Sequence, residues 1–329
     1  MERIGIIGGG AWGTALAQTA RRGGRTALLW AREPEVVEAI NARHENPLFL
    51  PGLALDPAIA ATADPARLVR ESDAVLAVAP SQFLRPTLSL FAPHWPADLP
   101  LVICAKGIEN GTLALMTEVA EQTLPGRPIA VLSGPTFAAE VARGLPTAVT
   151  LACKDAALGP KLVAALGTRS FRPYLSDDPV GAEVGGAVKN VLAIACGIVA
   201  GKGLGDNARA ALITRGLAEI VRLALARGGR AETLMGLSGL GDLILTATST
   251  QSRNFSVGLA LGQGRPLADI LSGKSSVAEG VFSAGATVAL AQRHGIEMPI
   301  AQAVDAVVNR GAGTEAAIET LLARPFRSE

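Results

Sequence analysis

Four groups of residues in this sequence have the types and spacings that chemistry needs. Gly8, Gly10 and Gly13 give the spacing G-x-G-x-x-G between an apolar strand pattern, Arg3-Ile4-Gly5-Ile6-Ile7, and an apolar helical pattern that begins at Thr14. In a dinucleotide-binding turn Gly8 allows the tight exit from the strand, Gly10 lets a pyrophosphate approach the backbone, and Gly13 lets the helix lie close to the sheet. The free N–H groups and positive dipole end of that helix then face the anion. Second, Lys106 is the only charge at the end of an otherwise apolar strand pattern, placed to neutralise a phosphate or polarise a carbonyl. Third, Lys189 lies between Ala187-Val188 and Asn190-Val191 in an apolar helical stretch. A buried ammonium is costly and needs a specific reason to be there, unless its amine snorkels to solvent. Fourth, the glycine-rich run 236–241 ends on Asp242, with Thr246 one helical turn beyond. Ser252-Arg253-Asn254 then offers a hydroxyl, a guanidinium and an amide, a set suited to a phosphate monoester.

Reduction of a ketone by a nicotinamide needs a proton for the new hydroxyl, and histidine is the usual donor. The three histidines are poorly placed: His44 in a polar loop, His94 in a proline-rich loop, His294 at a helix end. Arginine cannot release a proton at working pH, whereas a buried lysine can. At the end of the second strand, where NAD-specific sites carry an acid for the ribose, the sequence reads Trp30-Ala31-Arg32. Arg32 suits a 2′-phosphate, so NADP is favoured over NAD, although Glu33 follows directly. Trp12, inside the loop, is expected to pack rather than stack on the ligand.

The elements that must position these residues change character along the chain. Strand patterns at 3–7, 25–30, 59–63, 74–78, 101–105, 129–132, 147–152 and 171–175 alternate with helical ones at 14–20, 34–42, 64–71, 112–123, 136–143 and 156–166. Continuous apolar strands separated by helices predict a parallel sheet covered on both faces. Ligands of such sheets lie beyond the carboxyl ends of the strands. Those ends here carry Pro80-Ser81-Gln82-Phe83, Lys106-Gly107, Ser133-Gly134-Pro135-Thr136 and the Asp177-Asp178 turn. Beyond about residue 180 the patterns are helical throughout: 183–200, a helix stopped at Gly228-Gly229, then 256–261, 267–271, 285–293, 299–309 and 315–323. The expected organisation is an α/β Rossmann-like dinucleotide-binding domain over residues 1–185 and an all-helical substrate-binding domain over 186–329.

With 329 residues the chain can bury two sizeable cores, and 49% hydrophobic content with 4% aromatics makes them aliphatic. A net charge of +1 offers no bulk field for nucleic acid or a membrane surface. Cys104, Cys153 and Cys196 lie far apart in apolar runs, as buried thiols of a reducing compartment do. Glycines break the apolar run after Arg3 too early for a signal peptide, and the longest apolar run, 191–200, is too short to cross a bilayer. A cytoplasmic protein is expected.

With these residues in view, the whole chain resembles the bacterial-type NAD(P)-dependent glycerol-3-phosphate dehydrogenases. The resemblance rests on residues 8–13, Ser133-Gly134-Pro135-Thr136-Phe137-Ala138, Val188-Lys189-Asn190-Val191, Gly239-Leu240-Gly241-Asp242-Leu243 with Thr246, Ser252-Arg253-Asn254 and Val277-Ala278-Glu279-Gly280. It implies interconversion of dihydroxyacetone phosphate and sn-glycerol 3-phosphate, which supplies the backbone of membrane phospholipids. It implies that Lys189 donates and accepts the proton and that Lys106 contacts both cofactor and substrate. Gly134, Thr136, Asn190, Asp242, Thr246, Ser252, Arg253 and Asn254 would bind substrate, with Asp242 also orienting the reacting groups. Ala11, Trp12, Arg32, Phe83, Ala138, Val277 and Glu279 match cofactor-contacting positions, with Arg253 shared between the ligands. The helical half resembles the 6-phosphogluconate dehydrogenase C-terminal domain, and relatives are commonly homodimers. Two other readings stay open. A β-hydroxyacid dehydrogenase or ketopantoate reductase would share the cofactor loop but bind a carboxylate. A silent nucleotide sensor would need neither a buried Lys189 nor a second anion site.

Overall fold

The computed structural model describes residues 1–272 and 278–325. The chain forms two compact units. The first holds Met1–Lys106 and Ala114–Glu183, and the second holds Gly107–Leu113 and the chain from Val184 on. A division by pattern alone, at residue 185, is contiguous. The compact units are not, because the short stretch after Lys106 groups with the helical unit.

In the first unit the strands are β1 (Arg3–Ile7), β2 (Thr26–Trp30), β3 (Glu45–Asn46), β4 (Leu50–Ala54), β5 (Ile59–Thr62), β6 (Ala74–Ala77), β7 (Leu101–Ile103), β8 (Ile129–Ser133), β9 (Thr147–Ala152) and β10 (Phe171–Ser176). Eight of them form one sheet in the order β10-β9-β8-β7-β6-β1-β2-β5, and β3 pairs with β4 in a separate hairpin. Between them run α1 (Ala11–Arg22), α2 (Pro34–Arg43), α3 (Pro65–Arg70), α4 (Leu84–Phe91), α5 (Met116–Thr123), α6 (Ala138–Arg143) and α7 (Leu158–Leu166). Alternation along β1 sends Ile4 and Ile6 into the core on one face of the sheet and Ile7 into the core on the other, so both faces are covered.

Three expectations need correction. The sheet is not wholly parallel, since β8 and β9 pair antiparallel while β9 and β10 are parallel to each other. The six-residue α6 does not carry the chain back along β8, and β9 starts from the end of the sheet at which β8 stops. A strand buried on both faces reads the same in either direction, which is why composition did not reveal this. The carboxyl end of β10, with Asp177-Asp178, therefore lies at the opposite end of the sheet from Lys106 and Gly134. Asp178 instead accepts the Gly181 N–H at 2.9 Å and caps a helix. The helix expected over 112–123 begins only at Met116, because Gly111 and Leu113 have φ of +82° and +62°.

The second unit is built around α8 (Pro179–Gly201), whose residues up to Glu183 belong to the first unit, followed by α9 (Gly205–Ala226), α10 (Ala231–Met235), a π turn (Leu237–Gly241), α11 (Asp242–Ala247), α12 (Arg253–Gly262), α13 (Leu267–Leu271), α14 (Glu279–Arg293), α15 (Pro299–Asn309) and α16 (Thr314–Leu322). By length and composition α8 passes as a membrane span, but 89% of its apolar window is buried inside the protein, as in the core helix of a globular unit. It meets α12 through glycines. A Cβ on Gly197 or Gly201 would stand 2.2 Å from the Phe255 carbonyl or 2.3 Å from that of Leu259. One on Gly258 or Gly262 would meet the Ile194 or Ile198 carbonyl at 2.0 or 2.4 Å. Two G-x-x-x-G spacings thus let the two backbones touch.

Glu219 of α9 is buried, and its carboxylate accepts the N–H groups of Ile300 and Ala301 at 2.8 and 3.2 Å, where α15 begins. Burial pushes its carboxyl up to about 7, against the pull of those two N–H bonds and of Arg222 and Arg324. The folded state thus holds this proton to higher pH than the unfolded chain does. Its contribution to stability is complete below the ordinary carboxylate range and is lost as pH rises through about 7. Glu219→Gln is expected to flatten the decline in Tm between pH 5 and 8, removing a pH-dependent difference of up to ~3 kcal/mol. Thermal melts across that range check it, and a variant that keeps the wild-type slope would assign the slope elsewhere.

Candidate active site

The glycine turn leaves the carboxyl end of β1, the strand that pairs with β2 on one side and β6 on the other. Gly8 has φ +127°, and a Cβ there would press on the Val78 backbone at 3.2 Å. A Cβ on Gly13 would lie 1.9 Å from the Gly8 carbonyl, so α1 can approach the turn only through glycine. Gly10 differs from both. No described residue lies within 4 Å of its Cβ position, and its backbone is extended (φ −71°, ψ 179°). Neither packing nor conformation calls for glycine at this point. A pyrophosphate approaching the backbone would, and among the described residues no side chain caps α1, so its N-terminus suits such a group. These features fit a dinucleotide.

Asn46, in β3, completes the turn. It is fully buried and donates from Nδ2 to the Gly9 carbonyl and to Thr14 Oγ1, both at 2.8 Å. Sequence reasoning missed it, because Asn46 lies 37 residues from Gly9 and the two-residue β3 leaves no periodic signal. Around the turn, Ala11 and Trp12 are half-buried and pack on the core beneath. The Arg32 side chain is 78% exposed and pairs with Glu33 at 3.1 Å. Phe83 is exposed in a 3-10 turn after β6, and half-buried Ala138 opens α6.

Lys106 follows β7 and donates from Nζ to the Gly134 carbonyl at 2.9 Å, and Thr136 Oγ1 reaches the same oxygen at 3.3 Å. Gly134 has φ +152°, and a Cβ there would collide with Val149 Cα at 2.9 Å, so the tight turn after β8 requires glycine. Trp12, Lys106, Gly134 and Thr136 line one small crevice together with Leu132, Ser133 and Val149. Residues from separate stretches of sequence are brought together there.

In the second unit Lys189 is buried, with 7% of its surface exposed, so its amine does not snorkel. Nζ donates to Asp242 Oδ1 at 2.7 Å and to Thr246 Oγ1 at 2.8 Å. Asp242 and Thr246 are neighbours on one face of α11, the i, i+4 relation expected from their spacing. The carboxylate supplies the charge that a buried ammonium needs. Asn190, the next residue along α8, accepts at Oδ1 from Asn254 Nδ2 at 2.9 Å, and Asn254 Oδ1 accepts the Gly280 N–H at 2.9 Å. Asn254 thus ties α8, α12 and α14 together. Ser252 caps α12 by accepting the Phe255 N–H at 3.2 Å, which leaves Arg253 exposed at the first helical position. Glu279 opens α14 and is half-buried. Val277, also expected at the cofactor site, lies outside the described residues.

A sheet crossed at β1, a glycine turn shaped for a dinucleotide, and a second unit with a buried amine held by a carboxylate and a hydroxyl fit a dinucleotide-dependent dehydrogenase. Residues 3–159 match the model of the N-terminal part of NAD-dependent glycerol-3-phosphate dehydrogenase, and residues 178–319 match that of its C-terminal part. The glycerol-3-phosphate dehydrogenase [NAD(P)+] of Rhodospirillum rubrum is 66% identical over all of this chain and 94% of its own length. That of Caulobacter vibrioides is 61% identical over all of this chain and 99% of its own. The crystal structure of glycerol-3-phosphate dehydrogenase from Coxiella burnetii, 40% identical, covers 98% of this chain and 99% of its own with a TM-score of 0.94. The chain belongs to the NAD-dependent glycerol-3-phosphate dehydrogenase family, a family of oxidoreductases that use NAD(P).

Proposed function

We propose that this chain interconverts dihydroxyacetone phosphate and sn-glycerol 3-phosphate, with Lys189 as proton donor and acceptor. The observation that carries the reading is the buried Lys189 amine, held between Asp242 and Thr246 on a largely apolar helix. When bound, the dinucleotide supplies a hydride to the carbonyl carbon, or takes it back in the reverse direction. Nζ of Lys189 gives its proton to the carbonyl oxygen as negative charge develops there, so ketone, hydride and proton sum to the alcohol. Asp242 and Thr246 accept from the same Nζ and fix where its remaining proton points. Lys106, beside Gly134 and Thr136, offers a second cation for the substrate and the cofactor phosphates. The first unit is the dinucleotide-binding domain and the second the substrate-binding domain in this reading.

Arg253, exposed at the start of α12 beside Ser252 and Asn254, is the proposed phosphate anchor. Arg253→Ala is expected to raise KM for dihydroxyacetone phosphate roughly 10- to 100-fold, the loss of one charge-assisted hydrogen bond worth about 1.5–3 kcal/mol. Initial rates with dihydroxyacetone phosphate and with unphosphorylated dihydroxyacetone check it. Equal use of dihydroxyacetone by variant and parent leaves the assignment standing, whereas an unchanged KM for the phosphate ester removes it.

Running the parent reaction with NADH and NADPH in parallel tests the function as a whole. A higher kcat/KM with NADPH is expected, because Arg32 suits a 2′-phosphate. Turnover of a 2-keto or 3-hydroxy acid in place of the phosphate ester would favour the carboxylate reductases instead. Cofactor oxidation without substrate dependence would favour a nucleotide sensor. The same reading makes the protein a cytoplasmic homodimer that supplies sn-glycerol 3-phosphate for glycerophospholipid synthesis. Three buried thiols, which burial pushes above the ordinary cysteine range, suit a reducing compartment.

A further inference from the structure

The segment 234–246 runs along one face of α8. A Cβ on Gly185 would stand 2.5 Å from the Ser238 carbonyl oxygen and 3.1 Å from Leu234 Cδ1, and one turn further along the same face Lys189 meets Asp242 and Thr246. Between these two contacts the chain makes the π turn, in which the Gly241 N–H bonds to the Gly236 carbonyl at 3.1 Å. The turn can close only around Gly239, whose Cβ would stand 2.1 Å from the Leu234 carbonyl. The extra residue in a π turn rotates everything downstream by about 100° relative to an α-helical continuation. The element directly downstream is α11, which carries Asp242 and Thr246. Glycine is a poor choice for a helix interior, so Gly185 has to answer to the close approach and not to helix formation.

From this geometry we infer that Gly185 is a positioning residue for the proton transfer. It seats the π turn directly on the α8 backbone, and that seat sets the reach from Lys189 Nζ to Asp242 and Thr246. The obstructing atom is a backbone carbonyl, so a methyl group at 185 cannot be absorbed by a side-chain rotation. The π turn must lift, carrying α11 and the Asp242 carboxylate away from the amine. The inference rests on Lys189 acting as the proton donor.

The test is steady-state kinetics of Gly185→Ala with dihydroxyacetone phosphate and NADPH, together with cofactor affinity from nicotinamide fluorescence. We expect kcat to fall roughly 10- to 100-fold, the scale of a misplacement of about 1 Å. KM for the ketone and Kd for NADPH are expected to stay within about threefold. Gly159→Ala serves as the control. Its Cβ would press on the end of the Leu175 side chain in the first unit, and it is expected to change thermal stability without changing kcat. Leu234→Ala, which removes the side chain beneath the same turn, provides a second route if Gly185→Ala does not fold, and its kcat is expected to fall in the same selective way. Lys189→Ala, run alongside, separates the two claims. Wild-type turnover by Lys189→Ala would overturn the proton-donor reading itself. An inactive Lys189→Ala with wild-type kcat in Gly185→Ala or Leu234→Ala, or with kcat and KM degraded together, would overturn the seat alone.

Discussion

Lys189→Ala is expected to lower kcat for reduction of dihydroxyacetone phosphate by ~10²–10⁴-fold, the range that a positioned general acid contributes. Kd for NADPH should hardly change, since Lys189 belongs to the helical unit and the glycine turn to the other. The substitution has a second effect that must be separated from the first. Asp242 has no exposed surface, and removing the Lys189 ammonium takes away a charge that balances a buried carboxylate, at a cost of ~3–5 kcal/mol of stability. Turnover therefore has to be counted per folded molecule, with the folded fraction taken from thermal melts. The double variant Lys189→Ala/Asp242→Ala is the cleaner probe. It removes both charges, so it should recover a large part of the lost Tm while remaining as inactive as the single variant. Turnover that returned with stability would take the proton-donor role away from Lys189.

Gly10→Val is expected to raise Kd for NAD(P)H by ~100-fold or more while leaving the fold as stable as the parent to within about 1 kcal/mol. The asymmetry comes from the surroundings of the three loop glycines. At Gly13 a side chain would strike the Gly8 carbonyl, and at Gly8 the conformation itself excludes one, so changes there damage turn and binding together. At Gly10 no described residue lies within 4 Å of the Cβ position and the backbone is extended, so a valine is expected to displace the ligand and little of the protein. Fluorescence titration with NADPH beside a thermal melt decides it. A stable Gly10→Val protein with parental affinity would mean that the dinucleotide approaches from elsewhere.

The residues that signal function in this chain do so through local oddity. A lysine on an apolar helix, glycines at fixed spacing after a strand, and a hydroxyl–guanidinium–amide run are each visible in the sequence. The structure groups Lys189 with Asp242 and Thr246, and Lys106 with Gly134, Thr136 and Trp12. Supports that act over long sequence separations leave no such mark. Asn46 braces the glycine turn from a two-residue strand. Asn254 looks from its neighbours like a ligand group, yet its side chain also joins three helices. The reversal between β8 and β9 is invisible because both strands are largely buried and such strands read the same in either direction. The Gly197/Gly201 and Gly258/Gly262 spacings are present in the sequence, and only the contact between their backbones gives them a meaning.

The apolar helix α8 also governs what happens when the protein comes apart. While folded, it is wrapped on all sides and behaves as the axle of the helical unit. Once released, the same 23-residue rod has the length and greasiness of a bilayer-crossing segment. Heat inactivation should then end in precipitation and not in a reversible coil, and recovery from denaturant should depend on protein concentration. During synthesis the rod is finished well before α12 and α14, which cover it, so chaperones that shield greasy stretches would have their longest engagement there. The helix that carries Lys189 is thus also a stretch of the chain prone to misassembly once it is uncovered.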